Sequence, residues 1–306
     1  MSKETIVVTA ASIHVDADAM LSDYRVIYAD VRAGEEALAD LCRQEEPVGI
    51  MVRYGNISEM VIAASPKLRV IAKHGVGTDN IDKKAAERLG IPVTAALGSN
   101  SQAVAEHTLG LMFACARKLA WLDARMKQGH WDKDNYLGLE LRGATLGLIG
   151  AGAIGGGVAT VALALGMQVV VYDPFAKPGS LPEGARLMAD LDELLKLADV
   201  ISLHCPLTDG TRGLLSRKRL SSIKDGAIII NTARAGLFDE EAMLDELEAE
   251  RLVAGIDCFQ DEPLKKDARW LTVPNTVLTP HIGGTTATAF RAMGVDAARS
   301  ILSNLS

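Results

Sequence analysis

From Thr145 to Asp173 the chain reads TLGLIGAGAIGGGVATVALALGMQVVVYD, with no charged residue until the last. A run of about 18 or more apolar residues meets the usual criterion for a membrane span. Five glycines (Gly150, Gly152, Gly155, Gly156, Gly157) would weaken a lipid-exposed helix at every turn. LGLI before them and MQVVVY after Gly166 are β-type runs. Strands of a parallel sheet covered on both faces read as continuous apolar runs. Beyond Arg142 there is no basic flank to set a membrane topology. The stretch therefore predicts a buried strand–helix–strand unit.

Within it, Gly150-Ala151-Gly152-Ala153-Ile154-Gly155 is G-x-G-x-x-G, placed after one strand and opening a helix. The first glycine permits the tight turn, the second admits a pyrophosphate to the backbone, and the third lets helix pack on strand. The helix N-terminus adds free N–H groups and a positive dipole end. Asp173 closes the second strand at about the 20-residue spacing expected of a ribose-binding carboxylate. A carboxylate there accepts from ribose hydroxyls and repels a 2′-phosphate, which favours NAD over NADP. S-adenosylmethionine also fits a Gly-rich turn followed by an acid, so the rest of the chain must decide.

The remaining pattern is βα throughout. Ile6–Thr9, Val26–Tyr28, Gly49–Val52 and Arg69–Ala72 read as strands; Glu35–Glu45, Ser58–Ala64 and Lys83–Leu89 read as helices. One long helix is expected over Ser101–Gln128, capped by Asn100 or Ser101 and ended by Gly129. Its first half is apolar nearly all round, as in a buried or interface helix. The strand rhythm then resumes at Thr145–Ile149, Gln168–Tyr172, Val200–His204, Ala227–Asn231, Val253–Asp257 and Thr276–Leu278, and one helix follows Gly284. This alternation predicts α/β architecture with parallel sheets, in two domains for a chain of 306 residues.

Composition excludes several partners. With 23% charged residues, a net charge of -7 and no Lys/Arg stripe, nucleic acid is not expected. MSKETIVVTA is no secretory signal, and Cys42, Cys115, Cys205 and Cys258 lack ligand or disulfide spacing. Reduced thiols in a cytoplasmic protein without a metal or a membrane are the expectation.

Ligands of open α/β sheets lie beyond the carboxyl ends of the strands. There the chain carries LHCPLT, NTARAG, IDCFQDEP and TPHIGG, and with them Arg234, Asp257, Glu262 and His281. An Arg fork binds a carboxylate in two places. A His can protonate a ketone oxygen, and a Glu on its other ring nitrogen would orient it. Beside a nicotinamide, that set suits hydride transfer to a 2-oxo acid; a methyltransferase has no use for it. Each residue also has a plain structural reading, as a loop histidine, a solvated turn carboxylate or a connection-capping arginine. His107, inside the long helix, is given no role, and His130 beside Trp131 is expected at the surface.

These motifs, with GVGTDNID (75–82), NSQAVAEHTLGLMF (100–113) and PHIGGTT (280–286), resemble the D-isomer-specific 2-hydroxy acid dehydrogenases, nearest the D-3-phosphoglycerate dehydrogenase branch. The resemblance implies a Rossmann NAD-binding domain over 99–284. It also implies a flavodoxin-like substrate domain, discontinuous over 1–98 and 285–306. It implies Arg234, Glu262 and His281 as catalytic residues. For the cofactor it implies Gly150, Gly152, Ala153, Ile154, Gly155, Asp173, His204, Cys205, Pro206, Thr211, Thr232, Ala233, Asp257 (facing the nicotinamide carboxamide) and Gly283. For the substrate it implies Gly75 and Val76, with Gly77 beside them, holding the carboxylate. Arg53, Lys73, His74 and Asn100 are further substrate candidates, and Arg53 and Lys73 end strands where a second anion would fit. A homodimer through helix 101–128 and hinge closure of the cleft are implied as well. Ala153 stands where arginine is frequent, and Glu262 departs from the glutamine of formate-oxidising relatives. With the chain ending at Ser306, the short form without a C-terminal regulatory domain is expected. 3-Phosphoglycerate/3-phosphohydroxypyruvate is the leading substrate, with hydroxypyruvate, glyoxylate or sulfolactate as alternatives and an NAD-sensing scaffold as a remoter one.

Overall fold

A computed structural model describes residues 3–177 and 179–306, divided into two compact units, 1–100 with 285–306 and 101–284. In the first unit the chain runs β1 (Thr5–Val8), α1 (Val15–Met20), β2 (Arg25–Tyr28), α2 (Gly34–Glu45), β3 (Gly49–Val52), α3 (Glu59–Ala63), β4 (Val70–Lys73), α4 (Lys83–Arg88) and β5 (Val93–Ala95). The strands form one parallel sheet in the order β2-β1-β3-β4-β5. β1, β3 and most of β4 are buried, because apolar clusters cover both faces of the sheet. Val7, Ile50 and Ile71 point to one face; Ile6, Met51 and Val70 point to the other.

The second unit runs α5 (Ser101–Ala116), α6 (Leu119–Lys127), β6 (Thr145–Ile149), α7 (Ala153–Ala164), β7 (Gln168–Tyr172), β8 (Arg186–Leu187), α8 (Leu191–Leu197), β9 (Val200–Leu203), α9 (Arg217–Leu220), β10 (Ile228–Asn231), α10 (Glu240–Glu248), β11 (Val253–Ile256) and β12 (Thr276–Leu278). Its seven strands are parallel, in the order β12-β11-β10-β9-β6-β7-β8. The direction of winding reverses between β6 and β9, which places a crevice at their carboxyl ends. The uncharged stretch is β6, a glycine turn, α7 and β7. Among the described residues no helix is long and apolar enough to cross a membrane. The chain returns to the first unit as α11 (Ala287–Leu305), packed beside α1 on the face containing Ile6 and Met51.

Three expectations are corrected. The single helix over 101–128 is two helices: Lys118 takes a left-handed conformation (φ 48°) that breaks the hydrogen-bond ladder. α5 is buried along most of its length and α6 has no buried residue, so the break lies where the chain leaves the core. Helix α1, absent from the sequence reading, begins at His14, whose Nδ1 accepts from the Asp16 amide. β5 and the two-residue edge strand β8 were likewise not expected.

Candidate active site

The glycine turn is closed by contact. Gly150 sits at φ 101°, and a Cβ on it would lie 2.7 Å from the His204 carbonyl carbon. A Cβ on Gly155 would run into the Gly150 carbonyl oxygen, so helix and strand approach as closely as backbone allows. A Cβ on Gly152 would meet nothing, and the amides of Ala153 and Ile154 open α7 on that clear side. Asp173 is fixed beside the turn: Oδ2 accepts from the Ala151 amide at 2.8 Å and Oδ1 from the Phe175 amide at 2.8 Å. Each oxygen keeps a second lone pair for a hydroxyl. A glycine cradle at a helix N-terminus with a carboxylate at the end of the next strand fits a dinucleotide.

Opposite the turn, the loop after β9 carries His204, Cys205 and Pro206. His204 Nε2 pairs with Ser202 Oγ at 2.9 Å, and burial lowers its pKa to about 4, so the ring is neutral at pH 7. Burial raises the Cys205 thiol to about 11. Thr211 Oγ1 donates to the Pro206 carbonyl at 2.6 Å and closes that loop.

β10, β11 and β12 deliver the remaining polar residues. After β10, Asn231 folds its own turn: Oδ1 accepts from the Ala233 amide and Nδ2 donates to the Arg234 carbonyl. Thr232 is buried, and Arg234 is half-buried with Nη1 donating to the Ala233 carbonyl. After β11, Cys258 Sγ donates to the same carbonyl at 3.4 Å. Glu262 lies further along this loop, with Oε1 accepting from the Phe259 amide. After β12, His281 Nδ1 lies 2.8 Å from Glu262 Oε2 and 3.0 Å from Oε1. Cys258 Sγ, a Glu262 oxygen and a His281 nitrogen fall within 4.8 Å of one another. That spacing would admit a metal ion. Burial, with Asp257 beside it, pushes the Cys258 thiol well up, so it stays a protonated donor.

His281 has φ 53°, a conformation that non-glycine residues rarely hold. Asp257 holds it there. Its Oδ1 accepts from Thr279 Oγ1 at 2.6 Å and the Ile282 amide at 2.9 Å, and its Oδ2 from the Gly283 amide at 2.8 Å. Burial works against this carboxylate's charge. Hydrogen bonds from His107, Thr279, Ile282 and Gly283 outweigh it and keep Asp257 ionised below the usual carboxylate range. His107, set aside by sequence reasoning, thus touches the loop of His281; nothing in a helical stretch 172 residues away signals that contact.

The first unit has its own polar edge. Thr9 Oγ1 accepts from the Arg53 amide and donates to the Tyr54 carbonyl, which anchors the end of β3. The Arg53 guanidinium lies over the rings of Tyr54 (4.8 Å) and Phe290 (4.5 Å). Lys73 Nζ donates to Asn80 Oδ1 at 2.9 Å and to the Arg53 carbonyl. His74 is buried against Phe290 with neither ring nitrogen hydrogen-bonded, and burial lowers its pKa to about 4. Gly75 is buried with its carbonyl taken by the Ala96 amide, and Val76 is half-buried. Asn100 has a buried Oδ1 with no partner.

Comparison with known proteins identifies the family. The NAD binding domain of the D-isomer specific 2-hydroxyacid dehydrogenases matches residues 109–283. A hydroxypyruvate reductase of Thermotoga maritima is 44% identical over 80% of this chain and 80% of its own length. A D-3-phosphoglycerate dehydrogenase of Methanocaldococcus jannaschii is 40% identical over 94% of this chain and 55% of its own. The chain spans about half the length of the phosphoglycerate dehydrogenases it matches. The solved structure of the TT0316 protein of Thermus thermophilus superposes with a TM-score of 0.87 at 37% identity, covering 98% of this chain and 96% of that one. The chain belongs to the D-isomer-specific 2-hydroxyacid dehydrogenases, a family of NAD-dependent oxidoreductases.

Proposed function

We propose that the protein interconverts a small 2-oxo acid and its D-2-hydroxy acid, and that the preferred substrate carries a second anionic group. 3-Phosphohydroxypyruvate/3-phosphoglycerate is the leading pair; hydroxypyruvate, glyoxylate and sulfolactate chemistry are the alternatives. The observation that carries the reading is the His281–Glu262 pair at 2.8 Å. Glu262 occupies Nδ1, so Nε2 is the nitrogen that meets substrate and gives its proton to the carbonyl oxygen as the alcohol forms. Glu262 then faces the imidazole in either charge state and keeps its tautomer. Arg234 holds the substrate carboxylate in its planar fork. A dinucleotide with its pyrophosphate on the 150–155 turn would supply or take the hydride through its nicotinamide, and Asp257 is proposed to meet the carboxamide of that ring. Asp173 supports NAD over NADP through the ribose hydroxyls. We assign 99–284 to the cofactor and 1–98 with 285–306 to the substrate, where the Gly75–Val76 amides take the carboxylate and Arg53 the second anion.

The same reading includes a homodimer through the 101–128 segment, in the cytoplasm. Phe113, Trp121, Met126 and Trp131 are exposed along and beyond that segment, and burying them is what a second copy would offer. Sedimentation velocity at micromolar concentration checks it. The activity is tested by NADH absorbance loss with 3-phosphohydroxypyruvate, hydroxypyruvate, glyoxylate, pyruvate, oxaloacetate and sulfopyruvate, each repeated with NADPH. Fast turnover of one anionic member, with NADH preferred, is expected; no turnover across the panel would remove the reading.

A further inference from the structure

Two adjacent residues of α5 reach two different loops of the site. α5 packs across β10, β11 and β12, the three strands that carry Arg234, Asp257 and His281 at their ends. Its buried positions are Ala, Val, Leu, Met and Cys, with one polar exception, Thr108. Thr108 Oγ1 donates to the Val104 carbonyl at 2.8 Å, so toward Thr232 Oγ1, also at 2.8 Å, it accepts. Thr232 stands two residues before Arg234. His107, half-buried one residue earlier, turns Nε2 to Thr279 Oγ1 at 2.9 Å and lies 3.5 Å from Asp257 Oδ1. Thr279 gives its single proton to Asp257. Its oxygen can then only accept from His107, which fixes the proton of His107 on Nε2. Thr279 stands two residues before His281.

We infer that His107 and Thr108 are positioning residues that gauge the two catalytic loops against one helix, His107 setting the proton-transfer loop and Thr108 the carboxylate-binding turn. Each acts through a neighbour, His107 through Thr279 and Thr108 through Thr232. Consecutive helix positions point about 100° apart, so one rigid element reaches both loops. The left-handed backbone of His281 would relax without such support. A displacement of about 1 Å at reacting groups costs up to roughly a hundredfold in rate. The inference rests on the proposed roles of Arg234 and His281.

The test compares His107→Leu, His107→Gln, Thr108→Val and Thr108→Ser with His281→Asn, using NADH and hydroxypyruvate. His107→Leu should lower kcat roughly ten- to a hundredfold with little change in KM. His107→Gln, which keeps a donor for Thr279, should restore most of it. Thr108→Val should chiefly raise KM, and Thr108→Ser should restore it. In ligand-free protein, the ring-proton resonance shared by His281 and Glu262, assigned by its loss in His281→Asn, should broaden in His107→Leu and persist in Thr108→Val. That resonance needs no substrate, so it decides the inference even if hydroxypyruvate is the wrong 2-oxo acid. Wild-type kcat and an intact resonance in His107→Leu would overturn the inference. So would kcat and KM of both apolar variants changing together, in step with melting temperature and without rescue. Full activity in His281→Asn would instead overturn the site assignment beneath it.

Discussion

The carboxyl edges of the two sheets are finished differently. In the second unit, the groups around His281 are bonded to one another: the Glu262 carboxylate to the His281 ring, and the Thr279 hydroxyl and the Ile282 and Gly283 amides to the Asp257 carboxylate. In the first unit, Arg53 is steadied by two aromatic faces and His74 is buried without a hydrogen bond on its ring. Proton transfer depends on angles and distances that must be set before substrate arrives, and a closed network sets them. Recognition of a variable acid needs charge held in place with donors still to give. On this account chemistry belongs to the second edge and substrate choice to the first.

The comparison is broken most severely at the second edge. His281→Asn should lower kcat by roughly a thousandfold while NADH still binds, since proton transfer is worth about 10²–10⁴; stopped-flow turnover with fluorescence titration reads both. Arg234→Lys should cost kcat/KM roughly a hundredfold, mostly through KM, because an ammonium cannot make the planar fork. An unchanged specificity constant would place the carboxylate elsewhere. At the first edge, Arg53→Met should raise KM about ten- to a hundredfold for an acid with a second anion and leave glyoxylate nearly unaffected. Equal losses for both substrates would make Arg53 structural. Asp173→Ala should narrow the preference for NADH over NADPH about tenfold, read from the ratio of the two kcat/KM values.

The smallest effect concerns stability. The folded pKa of His74 is about 4, below the ordinary 6.5, so between those values the unfolded chain binds a proton that the folded chain does not. Stability is therefore complete above pH 6.5 and falls toward pH 4, by at most about 1.4 kcal/mol per pH unit. His204 titrates in the same sense in the second unit, so His74→Leu should flatten the slope only partly. Urea melts at pH 7, 5.5 and 4.5 measure it; an unchanged slope would mean that His74 is protonated in the fold.

Much of this was legible in the sequence for a physical reason. Strands covered on both faces are written in nearly unbroken apolar letters, and β3, β6 and β7 lie on such runs with the bounds the sequence predicts. The dinucleotide turn is legible because Gly150 and Gly155 admit no side chain. Arg234, Glu262 and His281 stood out as chemically distinctive residues just beyond strand ends. What was not legible depends on contacts distant in sequence or on short polar segments. α1 is six residues with a histidine cap. The break at Lys118 has neither glycine nor proline to announce it. The roles of Thr9 and His107 exist only through partners brought close by the sheets, Arg53 and Thr279.

The most direct measurement of the central claim follows the hydride. The protein is incubated with NADH deuterated at both C4 positions and, in parallel, each 2-oxo acid of the panel, and the product is examined by NMR and chiral chromatography. The account predicts one deuterium at C2 of a D-2-hydroxy acid, formed by the wild type and not by His281→Asn. A product without deuterium, an L-hydroxy acid, or equal labelling by His281→Asn would contradict it.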